Sequence, residues 1–170
     1  MKGYVSVHRI ADGQILANIR KFRIYARLNG FISEGIFNNG QSALDATFAL
    51  MASLNPPRID YILDMRFSDP WPSDILKLWK KKALEIFSKY PQVYAVGVTG
   101  EDSPFWSQIY DIKALFQKHG DRILGIFETP EKAEAFLDKL RNFELPYSSR
   151  QACPFSSYFS PRCFFQNSYS

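Results

Sequence analysis

Between residues 57 and 142 the chain repeats one pattern three times: a short apolar segment is followed by an amphipathic segment that begins with a helix-capping residue. The apolar segments are residues 59–67, 93–99 and 122–127, and the expected helix caps are Ser73, Ser103 and Thr129. Strands that alternate with helices through short connections form largely parallel sheets with right-handed crossovers. The repeat therefore predicts an α/β fold with a mixed, mostly parallel sheet.

The residues before this repeat predict antiparallel strands at the edge of that sheet. Residues 4–19 alternate loosely between apolar and polar, with Asp12-Gly13 in the middle, which is a good hairpin signal. Residues 21–29 alternate with a period of two, which predicts a half-buried strand whose apolar side chains are Phe22, Ile24, Ala26 and Leu28.

A first helix is expected after Gly30, with Ser33 as its possible cap. Asn38-Asn39-Gly40 disfavours a continuous helix, so we expect the regular part to begin near Gln41. Its buried face is predicted from helical spacing to consist of Leu44, Phe48 and Met51.

Length and composition indicate the domain organisation and the cellular compartment, but they do not indicate an activity. The 170 residues suffice for a single domain, which we expect at residues 1–145, followed by a flexible tail at 146–170 rich in Ser, Pro and aromatics. The only cysteines, Cys153 and Cys163, lie in that tail at no zinc or redox spacing. No segment approaches the roughly 18–20 apolar residues of a membrane span, and the start lacks a signal-peptide core. We expect a cytoplasmic protein.

The charge pattern gives little support for a nucleic-acid partner. The net charge is only +4, and most lysines gather in residues 77–89. On a helix these lysines share a broad arc, which favours a solvated face; a phosphate or anionic-membrane contact is the alternative. We expect no nucleic-acid partner.

No motif for catalysis or cofactor binding is present. His8 and His119 have no metal-ligand spacing around them, and glycine-rich phosphate loops are absent. We therefore expect no cofactor, no metal and no catalytic residue. In open α/β sheets ligands bind at the carboxyl ends of the strands. The polar candidates there are Asp64, Arg66, Ser68, Ser73, Asp74, Thr99, Ser103 and Thr129.

Each of these candidates also has a purely structural interpretation. Capping of a helix would by itself explain the presence of Ser73, Ser103 and Thr129. An ion pair with each other would by itself explain Asp64 and Arg66. Two tryptophans are possible anchors for a partner, and core packing is expected more for Trp79 than for Trp71, which lies in a loop.

In four stretches the chain resembles the STAS-like group, which comprises anti-sigma-factor antagonists and bacterial relatives of unassigned role. The stretches are residues 28–33 (LNGFIS), 61–66 (YILDMR), 93–98 (VYAVGV) and 126–137 (IFETPEKAEAFL). The resemblance covers about residues 22–141. It implies a mixed sheet with helices, no cofactor, and a function carried out by binding.

Signalling members of that group carry a phosphorylated serine in an Asp-Ser-Ser-Gly motif at the start of a helix. The corresponding residues here are Pro72-Ser73-Asp74-Ile75, so Asp74 stands at the phosphoacceptor position. A carboxylate there permanently holds charge that phosphorylation would add.

Three functions remain open on the sequence. The first is a non-enzymatic regulatory module that binds a protein partner through the loop and helix start at residues 67–79. The alternative is a carrier of a small apolar or lipid-like ligand, by fold-level analogy with lipid-transfer proteins of the CRAL-TRIO type. An enzyme would need a pocket joining Asp64, Asp74 and Ser103.

Overall fold

The computed structural model describes residues 3–10, 13–100, 102–108, 112 and 122–144. The strands are β1 (Val5–Ile10), β2 (Gly13–Asn18), β3 (Arg23–Gly30), β4 (Ile59–Ser68), β5 (Val93–Val98) and β6 (Ile123–Phe127). The α-helices are α1 (Glu34–Ser53), α2 (Ser73–Lys89) and α3 (Pro130–Glu144). The chain divides into a compact unit at Met1–Asp138 and a second at Lys139–Ser170, of which only the end of α3 is described.

All six strands form one sheet in the order of the sequence. β1, β2 and β3 pair antiparallel, whereas β3, β4, β5 and β6 run parallel. The prediction of a mixed sheet with an antiparallel N-terminal hairpin is confirmed. Gly13 begins β2, and Asp12 lies outside the described residues.

Helices cover both faces of this sheet. The crossovers from β3 to β5 step in one direction, so the right-handed rule sends α1 and α2 to the same face. There Phe48 and Met51 of α1 and Ile75 of α2 share one apolar core with the sheet. α3 packs on the opposite face, where its Ala133 and Leu137 form a second core with Tyr25 and Ile62.

The first helix is longer than expected. It runs without a break through Asn38, Asn39 and Gly40, so the prediction that regular helix begins near Gln41 is wrong. Ser33 is the N-cap as expected, and its side chain accepts a hydrogen bond from the backbone N–H of Ile36 at 3.4 Å. Two Asn and one Gly cost about 2 kcal/mol in helix propensity, which the burial of apolar side chains along the helix offsets.

β3 is not half-buried, because α3 covers the face that was expected to meet solvent. Arg23 is fully buried there and donates to Asp60 at 3.0 Å and to Asp138 at 2.8 Å. Arg58 donates to the same Asp60 at 2.7 Å, and Lys21 donates to Asp138 at 2.7 Å. An ion network therefore joins β3, the amino end of β4 and α3.

The helix expected after Ser103 is described only in part. Pro104–Gln108 forms a short 3₁₀ helix in which Phe105 is buried, and Ile112 is buried in the same core. The rest of that segment and the predicted tail with Cys153 and Cys163 lie outside the described residues.

Candidate functional site

The parallel strands β3, β4, β5 and β6 end at one edge of the sheet, here called the carboxyl edge. The sequence places its polar candidates at this edge, because they lie at or just after the ends of β4, β5 and β6. The structure separates them into an ion pair facing α3, a buried group beneath the β4–α2 loop, and two exposed residues at the start of α2.

Asp64 and Arg66 form the ion pair, and Tyr25 joins it from β3. Arg66 donates from Nε to Asp64 Oδ1 at 3.0 Å and from Nη2 to Oδ2 at 2.9 Å. The Tyr25 hydroxyl donates to Asp64 Oδ2 at 2.5 Å, and Asp64 is fully buried. Burial and this bond raise the pKa of Tyr25, and the bond to Asp64 raises the pKa of Arg66. Asp64 and Arg66 therefore pair with each other, as the structural interpretation of the sequence expected.

A β-bulge in β4 positions the side chain of Arg66. Arg27 and Asn29 of β3 are two residues apart, but their partners Asp64 and Phe67 in β4 are three apart. The extra residue of the bulge shifts the alternation of side chains along the strand. The Arg66 guanidinium lies over the Phe67 ring, with Cζ 5.1 Å from the centroid.

Ser68, the last residue of β4, and Trp71, in the loop that follows, are both buried. Trp71 Nε1 donates to Ser68 Oγ at 3.0 Å, and the Trp71 backbone N–H and carbonyl bond the side chain of Gln108 at 2.8 and 2.6 Å. Trp71 is only 3% exposed and packs edge-on against Phe105 and Trp79. The expectation that Trp79 would be the more buried tryptophan is wrong, because the loop folds back onto the core.

Ser73 and Asp74 are both exposed at the start of α2. The helix cap is Pro72, which makes no side-chain capping bond, and Ser73 is the first helical residue. The prediction of Ser73 as cap is therefore wrong. Asp74 lies in the first turn as expected, where its charge suits the positive end of the helix dipole.

Thr99 and Ser103 are buried after β5. Ser103 Oγ accepts from the backbone N–H of Phe105 at 3.3 Å and donates to the carbonyl of Met65 at 3.4 Å. Ser103 therefore acts as a local cap and ties this loop to β4. Thr99 Oγ1 is buried and has no hydrogen-bond partner within the described part of the chain.

Thr129 also serves as a cap. Its Oγ1 accepts from the backbone N–H of Lys132 in the first turn of α3 at 3.2 Å.

Two exposed phenylalanines lie at the carboxyl edge: Phe67 begins the partner surface predicted at residues 67–79, whereas Phe31 was not predicted. Phe31, just after β3, is 59% exposed, and Phe67, near the end of β4, is 57% exposed. Asn29 pairs with Phe67, and the Asp69 N–H donates to the Gly30 carbonyl at 3.0 Å, so both phenylalanines lie at the carboxyl ends of adjacent strands. One sequence signal could have indicated Phe31: it is an apolar residue directly after Gly30, and it fits neither a helical nor a strand periodicity.

A small apolar cavity lies between α1 and the sheet. It measures about 50 Å³ and is lined mainly by apolar side chains, among them Ile32, Phe37, Leu44 and Leu63. Binding sites for drug-sized ligands measure roughly 300–1,000 Å³, so a lipid-length chain would require α1 to move away from the sheet. The apolar-ligand alternative stays a prediction.

Among the described residues, no cluster of three or more His, Cys, Asp or Glu side chains has the geometry of a metal site. The helices within the described ranges are also too short or too polar to cross a membrane.

The fold and site define the chain as an α/β protein with a six-stranded mixed sheet and an aromatic, arginine-containing carboxyl edge. Comparison with protein-family models, with curated proteins and with solved structures finds no match to this chain. The resemblance to the STAS-like group therefore stays a prediction.

Proposed function

We propose that this protein is a non-enzymatic binding module that docks a protein partner on the carboxyl edge of its sheet. The observation that carries the proposal is the exposure of Phe31 and Phe67 at the carboxyl ends of the paired strands β3 and β4. Aromatic side chains provide much of the binding free energy in protein interfaces.

The backbone around the two phenylalanines is held by the sheet. Gly30 pairs with Ser68, and the Asp69 N–H bonds the Gly30 carbonyl, so the segments that carry the rings are tied together. Neighbouring strands lie about 4.8 Å apart, which places both rings within the footprint of a single docked element. A partner would therefore bind without first ordering these segments, which lowers the entropic cost of association.

The internal bonds of the polar candidates support binding over catalysis. Both carboxylate oxygens of Asp64 accept hydrogen bonds from Arg66, and Ser68 and Ser103 are occupied within the fold. General acid–base catalysis requires a group that can exchange its proton with a substrate.

The start of α2 extends the proposed surface. Asp74 is exposed there, and in this proposal it adds a negative charge to the docking surface. In this proposal Asp74 holds permanently the charge that phosphorylation supplies in the signalling members of the STAS-like group. The STAS-like relationship and the cytoplasmic location are part of the same proposal.

Affinity capture with matched variants tests the proposal. The tagged full-length chain is incubated with native lysate, and captured proteins and small molecules are quantified by mass spectrometry. The edge variant carries Phe31→Ser and Phe67→Ser. The control variant carries Leu50→Ser and Leu54→Ser, two similarly exposed leucines at the far end of α1.

We expect a partner that the wild type and the control capture equally and the edge variant loses. Burial of one aromatic ring contributes about 1.5–3 kcal/mol, so each substitution weakens binding about ten- to hundred-fold. Equal capture by the edge variant would contradict the proposal. A stoichiometric apolar small molecule with no protein partner would favour the carrier instead.

A further inference from the structure

A row of polar side chains crosses the face of the sheet that α3 covers. Arg9 pairs with Gln14, Gln14 pairs with Arg27, and Arg27 pairs with Asp64. Because register partners in a sheet project to the same face, these four side chains share one side. The row ends next to Arg66.

An open cavity of about 310 Å³ lies on this row and reaches the start of α3. Its volume is at the lower end of the range for small-molecule sites. The residues that line it are Gln14, Leu16, Tyr25, Arg27, Arg66, Pro130 and Glu131.

Asp64 holds the side chain of Arg66 in place. Asp64 occupies its Nε and Nη2, and Asp64 is itself fixed by Tyr25. The Arg66 Nη1 makes no hydrogen bond within the described residues, and the side chain is 28% exposed. A guanidinium whose orientation is fixed by a buried carboxylate loses little rotamer entropy when it binds an anion.

Arg27 contributes the second guanidinium. Its Nε is buried and has no hydrogen-bond partner in the described part of the chain. Because Nε itself is buried, a ligand in the cavity would accept hydrogen bonds from the terminal nitrogens of the half-buried Arg27 side chain. Arg27 thus has a buried Nε without a hydrogen-bond partner among the described residues, and it also lines the open cavity.

The charges around the cavity favour an anion. Arg27 and Arg66 line it, and the exposed Arg9 lies on the same face. Arg66 and Asp64 compensate each other, and the exposed Glu131 on the rim offsets a further positive charge, which leaves this face with an excess of one positive charge. The positive end of the α3 dipole adds to the attraction, since Pro130 begins that helix.

We propose that this cavity binds a small organic anion whose carboxylate or phosphate group lies between Arg27 and Arg66. The apolar body of the ligand contacts Leu16, which lines the cavity beside the two arginines. This site is separate from the docking of a protein partner, and its test uses the isolated chain.

Titration of the ¹⁵N-labelled full-length chain followed by NMR tests the site. The two anionic probes are phenyl phosphate and benzoate, and benzyl alcohol is a neutral probe with a similar ring. We expect saturable shifts of the backbone amides of Gln14 and Glu131 with at least one anion and none with the alcohol. A response to only one anion supports the site and identifies the group it prefers.

Three variants distinguish a built site from general attraction. Arg27→Gln weakens anion binding about ten- to hundred-fold, because a charge-assisted hydrogen bond is lost. Arg20→Gln removes the same charge from an exposed position outside the cavity and leaves the affinity unchanged. Glu131→Gln removes the opposing rim charge and strengthens binding about two- to fivefold.

Three results would overturn the proposal. They are no saturable shift with either anion, equal affinity in Arg27→Gln and Arg20→Gln, and equal binding of benzyl alcohol. Glu131 is exposed, so its variant keeps the test decisive if Arg27→Gln does not fold.

Discussion

Replacement of Asp60 by Asn tests whether the buried ion network at the amino end of β4 stabilises the fold. The Asp60 carboxylate accepts from Arg23 Nε at 3.3 Å, from Arg23 Nη2 at 3.0 Å and from Arg58 Nε at 2.7 Å. The side chains of Asp60 and Arg23 are both 0% exposed. Asn has the same shape but no charge, so the substitution removes the carboxylate that two buried guanidinium groups share.

The expected loss follows from burial. Removal of one partner from a buried ion pair costs about 3–5 kcal/mol, because the remaining charge stays out of water. Asn keeps one acceptor oxygen, and Asp138 still accepts from Arg23, so we expect about 3–4 kcal/mol. For a chain of this size 1 kcal/mol corresponds to about 2–4 °C, so the Tm falls by about 6–16 °C.

Asp138→Asn is the matched control, because Asp138 accepts from the same Arg23 Nη2 at 2.8 Å but its side chain is 40% exposed. An exposed ion pair is worth at most about 1 kcal/mol. Urea unfolding at neutral pH measures both losses. If Asp60→Asn costs no more than Asp138→Asn, the argument from burial is refuted.

The pKa of Asp138 also predicts how its contribution to the free energy of unfolding depends on pH. Burial alone would raise the Asp138 pKa, but the hydrogen bonds and charges of Lys21 and Arg23 lower it on balance. A lowered folded-state pKa means that Asp138 stabilises the protein above its unfolded pKa of about 3.9. The difference between wild type and Asp138→Asn should therefore shrink as the pH falls through the folded pKa and vanish below it.

Four further predictions follow from named contacts. Burial raises the pKa of Tyr61, and burial together with the hydrogen bond to Asp64 raises the pKa of Tyr25. In an ultraviolet titration neither tyrosine should therefore ionise with exposed tyrosines near pH 10. The free energy of unfolding should fall as the pH rises above that value, because ionisation is easier in the unfolded chain. Ser33→Ala should cost about 1 kcal/mol in urea unfolding, because α1 loses its cap; no change would show that the 3.4 Å bond is unimportant. Trp71→Ala should cost about 3–5 kcal/mol in the same assay because Trp71 is buried, and a loss below 1 kcal/mol would contradict its core position. Thr99→Val should be neutral or stabilising by calorimetry, because its buried hydroxyl has no partner among the described residues, and a clear destabilisation would show an unrecognised bond.

Local patterns predicted most of the element order. The strands β4, β5 and β6 lie within one residue of the predicted segments, because apolar segments bounded by proline, glycine and capping residues carry their own boundaries. α1 was the main failure. The weak helix propensity of Asn38-Asn39-Gly40 is outweighed by tertiary packing, which is not visible in a short window of sequence.

The candidate site was predicted only in part. Asp64 and Arg66 stood out because they end an apolar strand, and they do lie together. Their neighbours Tyr25 and Arg27 were missed because they lie on β3, where strand alternation indicated solvent-facing side chains. Their place beside Asp64 depends on the parallel register between β3 and β4.

The sequence by itself determined the α/β class, the antiparallel hairpin at the edge and the helices that face the first core, since periodicity and capping are local properties. Only the tertiary structure decided which face α3 covers, and therefore that Arg23 is buried rather than solvated. It also decided that Trp71 turns inward while Phe31 and Phe67 stay exposed, because burial depends on which distant segments fold onto a residue.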